Sequence, residues 1–271
     1  MVYLRADKRC GAYERGIILE YIESPKNDHI KQAKKLTVKK NQKQTGEYLL
    51  DGWHLVQEAL KSGQTPKRIY ATEKFVNERD LKPFYEQLTE ISPEVAKHLS
   101  DTQTPQGIFA IMPLRQQKLP DKLSGQFLLL DGIQDPGNVG TLVRTADAAG
   151  VQTVVFGNGT ADAFGPKVLR AMQGSQFHLN IVSAKLADVV KGLKAAEIPV
   201  YGTELNPDAV PYKSVTPPNQ FALIVGNEGN GMQPALLAET DANLYIPIKG
   251  EAESLNVAIA AAVVMFHLAG A

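Results

Sequence analysis

The sequence predicts an α/β fold whose larger part is a parallel sheet, and three observations carry that expectation. Residues 127–130 (FLLL) and 221–225 (FALIV) are apolar at every position, as strands covered on both faces must be. Strand-length apolar runs alternate with helical patterning through the second half of the chain. Three glycine-marked junctions, in residues 128–150, 223–232 and 244–269, each leave an apolar strand and enter a helix. Such junctions gather at the carboxyl edge of a sheet, where α/β proteins build sites, so the chain reads as an enzyme.

The elements follow in order. Residues 1–25 are poorly patterned and read as an extension. Ile30, Ala33 and Leu36 recur at helical spacing, and a polar, turn-like segment then runs to Gly46. Residues 48–50 suit a short strand, and Trp53, Val56 and Leu60 mark one face of a helix stopping near Gly63. A strand at 68–71, a helix around 77–85 and a strand at 107–112 complete a smaller amino-terminal α/β domain, residues 26–112. Polar residues 113–125, with Pro120, read as a linker. In the remainder, 126–271, strands are expected at 127–130, 153–156, 178–182, 199–201, 221–225 and 244–246, with helices starting at 138, 166, 184, 233 and 255. Pro207, Pro211, Pro217 and Pro218 make residues 202–220 an irregular connection.

Composition sets the class. The 271 residues are 44% apolar and 21% charged, an ordinary globular balance with room for one large or two smaller domains. The apolar stretch 257–269 is short for a membrane span and contains His267, so a buried helix is expected and no membrane. No secretory signal is evident at the amino end. The single cysteine, Cys10, excludes an intrachain disulfide and fits a reducing, cytoplasmic setting. Five scattered histidines offer no metal site. The net charge is zero, yet residues 1–120 hold 20 Lys/Arg against 15 Asp/Glu. Within them Lys26, Lys31, Lys34, Lys35, Lys39, Lys40 and Lys43 are opposed only by Asp28. Composition leaves two readings of this segment open, an RNA or DNA contact and a solvated helix face.

Nucleotide templates fail at the glycines. Residues 132–141 lack the Gly-Lys-Ser/Thr of a phosphate loop, and Gly157-Asn-Gly159 meets Asp162 where a dinucleotide fingerprint requires glycine. The full motifs are more specific. Asp131-Gly-Ile-Gln-Asp-Pro-Gly-Asn138-Val-Gly-Thr-Leu-Val-Arg144, then Ile224-Val-Gly226-Asn-Glu228-Gly229-Asn-Gly231-Met232, then Ile246-Pro247-Ile248 with Ser254-Leu255-Asn256-Val257, occur in that order. Together they resemble the three motifs of the SpoU/TrmH family of RNA ribose 2'-O-methyltransferases. Residues 29–112 also resemble that family's ribosomal-protein-like RNA-binding domain. The resemblance implies a carboxyl-terminal parallel sheet with a deep trefoil knot holding S-adenosylmethionine, with Gly226, Ile246 and Leu255 at the cofactor. It further implies a homodimer and a structured RNA substrate, ribosomal or transfer RNA, and the charge of the basic segment offers Lys34, Lys35, Lys39, Lys40 and Lys43 as the RNA contact. Three positions depart from the family habit: Ala258 for a common serine, Gln42 near a common arginine, and Asp51 for a glutamate.

Methyl transfer to a ribose hydroxyl needs alignment, support for a developing oxyanion and a route for the proton. Asn138, Arg144, Glu228, Ser254 and Asn256 are the polar residues placed at that chemistry. A guanidinium with a pKa above about 12 is a poor base, so Arg144 suits orientation and charge stabilisation while an RNA phosphate takes the proton. Structural roles stand beside these. Asn138 and Ser254 both precede helices and suit N-caps, Arg144 suits an ion pair, and Glu228 suits holding Arg144 or capping a helix. Asn256, an amide in an otherwise apolar helix, calls for a specific partner. The leading reading is a ribose methyltransferase. A non-catalytic RNA-binding or ribosome-assembly protein, and a knotted guanine methyltransferase, are the competitors.

Overall fold

The computed structural model describes residues 2–6, 18–79, 81–115, 117–204 and 206–270; Cys10 lies outside them. The chain forms two compact units, Met1–Arg115 with Phe164–Pro166, and Gln116–Ala163 with Lys167–Ala271.

The first unit is a mixed six-stranded sheet in the order β1-β2-β5-β4-β6-β3, from β1 (Val2–Ala6), β2 (Ile18–Ile22), β3 (Glu47–Asp51), β4 (Arg68–Thr72), β5 (Leu88–Ile91) and β6 (Ile108–Pro113). Helices α1 (Asp28–Lys35), α2 (Lys39–Thr45), α3 (Trp53–Lys61), α4 (Glu73–Glu78) and α5 (Pro93–Leu99) accompany it. Ile30, Ala33 and Leu36 pack with Val95, Ala96 and Leu99 of α5 against Ile22, Tyr70 and Phe109.

Several sequence expectations change here. The extension over 1–25 supplies part of the sheet: β2 pairs parallel with β5, and Ile22 is fully buried. The turn-like segment before Gly46 is helical, and it escaped notice because its one buried residue is polar Gln42. The helix expected at 77–85 is two pieces, because the chain turns extended at Arg79 after α4 and restarts as a 3-10 turn at Lys82–Gln87 with Pro83 in its first turn. Strand β5 and helix α5 were missed. Their signal was Ser92-Pro93, with Ser92 Oγ accepting from the Val95 amide at 3.1 Å as an N-cap and proline in the first turn.

The second unit is a seven-stranded, wholly parallel sheet in the order β11-β13-β10-β12-β7-β8-β9. Its strands are β7 (Gln126–Leu130), β8 (Thr153–Phe156), β9 (Asn180–Ser183), β10 (Val200–Gly202), β11 (Val210–Pro211), β12 (Phe221–Val225) and β13 (Ala242–Tyr245). Its helices are α6 (Pro136–Ala148), α7 (Pro166–Met172), α8 (Leu186–Ala195), α9 (Pro234–Leu237) and α10 (Val257–Leu268). Phe127–Leu130 and all of β12 are fully buried. Phe127, Leu129, Ala222 and Ile224 meet Val189, Val190 and Leu193 of α8 on one face. The alternate residues, Leu128, Leu130, Leu223 and Val225, point to the other. Helix α10 packs against α6, and His267 donates from Nε2 to the Val215 carbonyl at 2.8 Å. Among the described residues, 203–220 carry only β11 and one 3-10 turn. Among the described residues no helix is long and apolar enough to cross a membrane.

Helix α6 lies so close to α7 that a Cβ on Gly140 would stand 2.3 Å from Ala171 Cβ and 2.8 Å from the Val168 carbonyl. Gly→Ala in a helix interior gains about 1 kcal/mol of intrinsic propensity, whereas overpacking costs about 1–3 kcal/mol. The clashing groups include backbone, which cannot rotate aside, so the cost wins. Gly140→Ala is expected to lower stability by about 1–2 kcal/mol in urea unfolding. An unchanged or raised midpoint would show that α6 and α7 separate freely.

Candidate functional site

The site begins where β7 and β12 lie side by side, Leu130 opposite Val225. Because the strands are parallel, the loops leaving them emerge at the same edge, and hydrogen bonds join them. The Asp131 amide donates to the Val225 carbonyl at 2.9 Å, and Asn227 Nδ2 donates to the Gly132 carbonyl at 2.7 Å. Asp131 is buried, and its carboxylate accepts from the Gln233 amide at 2.7 Å and from Gln233 Nε2.

The second loop turns tightly. Asn227 and Gly231 exchange backbone hydrogen bonds at 2.9 and 3.0 Å, and Asn227 Oδ1 accepts from the amides of Gly229 and Asn230. A Cβ on Gly226 would meet the Gly231 carbonyl carbon and the Met232 nitrogen at 2.5 Å. Gly231 has φ +67°, and a side chain there would also strike Glu204. Both glycines are required by close approach and, at Gly231, by a left-handed backbone.

Three of the expected residues meet across three loops. Asn138 Nδ2 donates to Glu228 Oε1 at 3.1 Å, and Asn256 Nδ2 donates to Asn138 Oδ1 at 3.0 Å. Asn256 Oδ1 in turn accepts from the amides of Ala258 and Ile259 at the start of α10. Asn256 is therefore the N-cap of α10, not a residue within it. Asp135 caps α6 by accepting from the Asn138 amide at 2.7 Å, which leaves the Asn138 side chain for the network. Partial burial pushes the Glu228 carboxyl up, but hydrogen bonds from Asn138 and from the backbone of Glu228, Gln134 and Asp135 outweigh it and hold the group below its ordinary range. Glu228 is thus an ionised acceptor at neutral pH and a weak base.

Other expected residues lie elsewhere. Arg144 is exposed on α6, six residues and about 9 Å of helix rise beyond Asn138. Glu228 grips Asn138 and, among the described residues, makes no ion pair with Arg144. Ser254 does not cap α10; it lines a cavity of about 430 Å³ with Leu244, Tyr245, Ile246 and Leu255. Gly226 does not line that cavity but backs the loop beside it. The cavity is largely apolar and holds no cation among its described lining residues, which fits an adenosine moiety and not a triphosphate. Glu204 lines it too. Sequence reasoning missed Glu204 and Asn227; the signal was their position just past strand ends at the carboxyl edge.

In the basic segment, Lys34 is engaged internally. Its Nζ donates to the carbonyls of Leu99 and Ser100 at 3.1 and 3.3 Å and to Asp101 at 2.8 Å, at the carboxyl end of α5. Lys35, Lys39, Lys40 and Lys43 are exposed, and no hydrogen bond or salt bridge from their side chains to a described residue ties them. Gln42 is buried and donates to the carbonyls of Leu36 and Phe164.

Comparison with known proteins matches residues 125–266 to the SpoU rRNA Methylase family and residues 27–110 to the MRM3-like substrate binding domain. The chain is 46% identical over 252 residues to the Bacillus subtilis (strain 168) 23S rRNA (guanosine(2553)-2'-O)-methyltransferase RlmP, covering 93% of this chain and 100% of that one. A crystal structure of an rRNA methyltransferase from Sinorhizobium meliloti superposes with TM-score 0.83 at 30% identity, covering 92% of this chain and 97% of that one. Its AdoMet-bound form gives 0.82 at 29% identity over the same shares.

The lowered pKa of Glu228 makes a pH prediction. A group whose folded pKa is depressed adds stability above its unfolded pKa and loses it as pH falls through the folded value. Wild type should therefore melt above Glu228→Gln at pH 7, and the gap should close as the pH drops below the ordinary carboxylate range. Thermal melts across pH 3–7 check this; a gap that persists or widens in acid would show that the charge of Glu228 is not what the network holds.

Proposed function

The chain belongs to the SpoU rRNA methylase family, and from that premise we propose that it methylates the 2'-hydroxyl of a guanosine in large-subunit ribosomal RNA. It is an S-adenosylmethionine-dependent RNA ribose 2'-O-methyltransferase. The full-length match to an enzyme named for guanosine 2553 of 23S rRNA supports the narrower substrate. The observation that carries the site assignment is the Glu228–Asn138–Asn256 network beside an apolar, cation-free cavity.

S-adenosylmethionine supplies an electrophilic methyl group on a sulfonium. Ile246 and Leu255, which line the cavity, would hold its adenosine moiety, and Gly226 keeps the neighbouring loop close. Glu228 fixes the Asn138 amide, Asn138 fixes Asn256, and the three present preorganised dipoles to the ribose, with Ser254 in the cavity lining. Arg144 steadies the oxyanion as the hydroxyl proton leaves to an RNA phosphate. The four exposed lysines, Lys35, Lys39, Lys40 and Lys43, bind RNA phosphates, while Lys34 serves the fold.

The finer architecture is part of the same proposal. Residues 26–112, joined by β2, form the RNA-binding domain; 113–125 link it to a methyltransferase domain, 126–271, closed by a trefoil knot. The protein is a cytoplasmic homodimer. Helix α10 supports the dimer: Ile259, Ala262, Val263 and Phe266 form an i, i+3, i+4, i+7 apolar stripe, with Ile259 52% and Phe266 37% exposed. Helix α10 packs on α6, the helix that carries Arg144.

The test is methyl transfer from labelled S-adenosylmethionine to unmodified 23S rRNA transcript, followed by alkaline hydrolysis. A methylated ribose cannot attack its own phosphodiester, so the label is expected in an alkali-resistant dinucleotide containing guanosine. Label released in mononucleotides would mean base methylation and overturn the reading. In single-turnover form, Arg144→Ala is expected to slow transfer by roughly 10²–10³-fold with cofactor affinity within about twofold of wild type.

A further inference from the structure

The cofactor cavity carries an electrical bias that its apolar lining does not explain. Its charged lining residues, among those described, are two carboxylates, Glu204 and Glu253, with no Lys, Arg or His beside them. Holding adenine requires neither acid.

Glu204 is the better fixed of the two. It follows the end of β10, and its Oε2 accepts from the Met232 amide at 3.0 Å, which ties it to the glycine loop after β12. It is half-buried at the cavity wall. A carboxylate held by a backbone donor and partly shielded from water exerts its field without reorganising.

S-adenosylmethionine and its product, S-adenosylhomocysteine, share adenosine, ammonium and carboxylate groups and differ in one charge. Transfer forms the ribose O–CH3 bond and breaks S–CH3, the bonding pair remaining on sulfur; the hydroxyl proton leaves to the RNA phosphate. The sulfonium becomes a neutral thioether. Resting on the cofactor reading above, we propose that Glu204, assisted by Glu253, is a cofactor-selecting residue: its charge favours the sulfonium over the thioether product and so loosens the product once transfer is complete.

Isothermal titration of the full-length protein with S-adenosylmethionine and with S-adenosylhomocysteine tests this. Glu204→Gln keeps an acceptor for the Met232 amide and removes the charge. The preference for S-adenosylmethionine over S-adenosylhomocysteine is expected to fall about tenfold, with product affinity changed less than about twofold. Glu253→Gln is expected to shift the preference the same way by less. Glu204→Asp, which keeps the charge but shortens the tie to Met232, is expected to weaken both ligands and retain the preference. Equal weakening of both ligands in Glu204→Gln, or an unchanged preference, would reduce Glu204 to a loop brace and overturn the proposal. Wild-type protein that binds neither ligand would instead overturn the cofactor reading itself.

Discussion

The parallel pairing of β7 with β12 is the constraint on which the site depends. These strands are far apart in sequence and adjacent in the sheet, in a register that sets Leu130 beside Val225. Their loops therefore leave the sheet at one edge, next to each other. A one-residue slip would turn Leu128 and Leu130 to the other face of a sheet buried on both sides. The pairing is continued past the strands by the Asp131 amide to Val225 and by Asn227 to Gly132, so the loops inherit the rigidity of the core.

On that edge the donors and acceptors admit a single consistent assignment. An ionised Glu228 can only accept, so Asn138 must turn its amino group to it. The Asn138 oxygen then faces Asn256, whose amino group must answer it, and the Asn256 oxygen is left for the start of α10. One charge thereby fixes two amides and the entry of the last helix. The glycine loop approaches the same edge because Gly226 offers no side chain to Met232. Substrate alignment in such a site comes from dipoles already in place, with little reorganisation during transfer.

Much of this was legible in the sequence, and the failures have physical causes. The parallel sheet was readable because FLLL and FALIV are apolar on both faces. The clustering of Asn138, Glu228 and Asn256 was readable only through the order of the motifs. Their partners were not: the local pattern made Asn138 a cap, yet Asp135, three residues earlier, takes that role and frees it. Asn256 was placed inside a helix because apolar content does not mark a helix start. Lys34 looked identical to Lys35, but only the fold brings the carboxyl end of α5 against it. Likewise, Ile22 reached the core through a strand pairing with β5, some seventy residues away, that no local window contains.

The central claim is that the three loops act as one unit through Asn138 and Asn256, and a double-mutant cycle tests it most directly. Asn138→Ala, Asn256→Ala and the double variant would be compared in single-turnover methyl transfer at saturating cofactor and RNA. If the amides work as a unit, the double variant should be little slower than the slower single variant, a coupling of about 0.5–3 kcal/mol. Losses that simply add in free energy would show two independent residues and contradict the account.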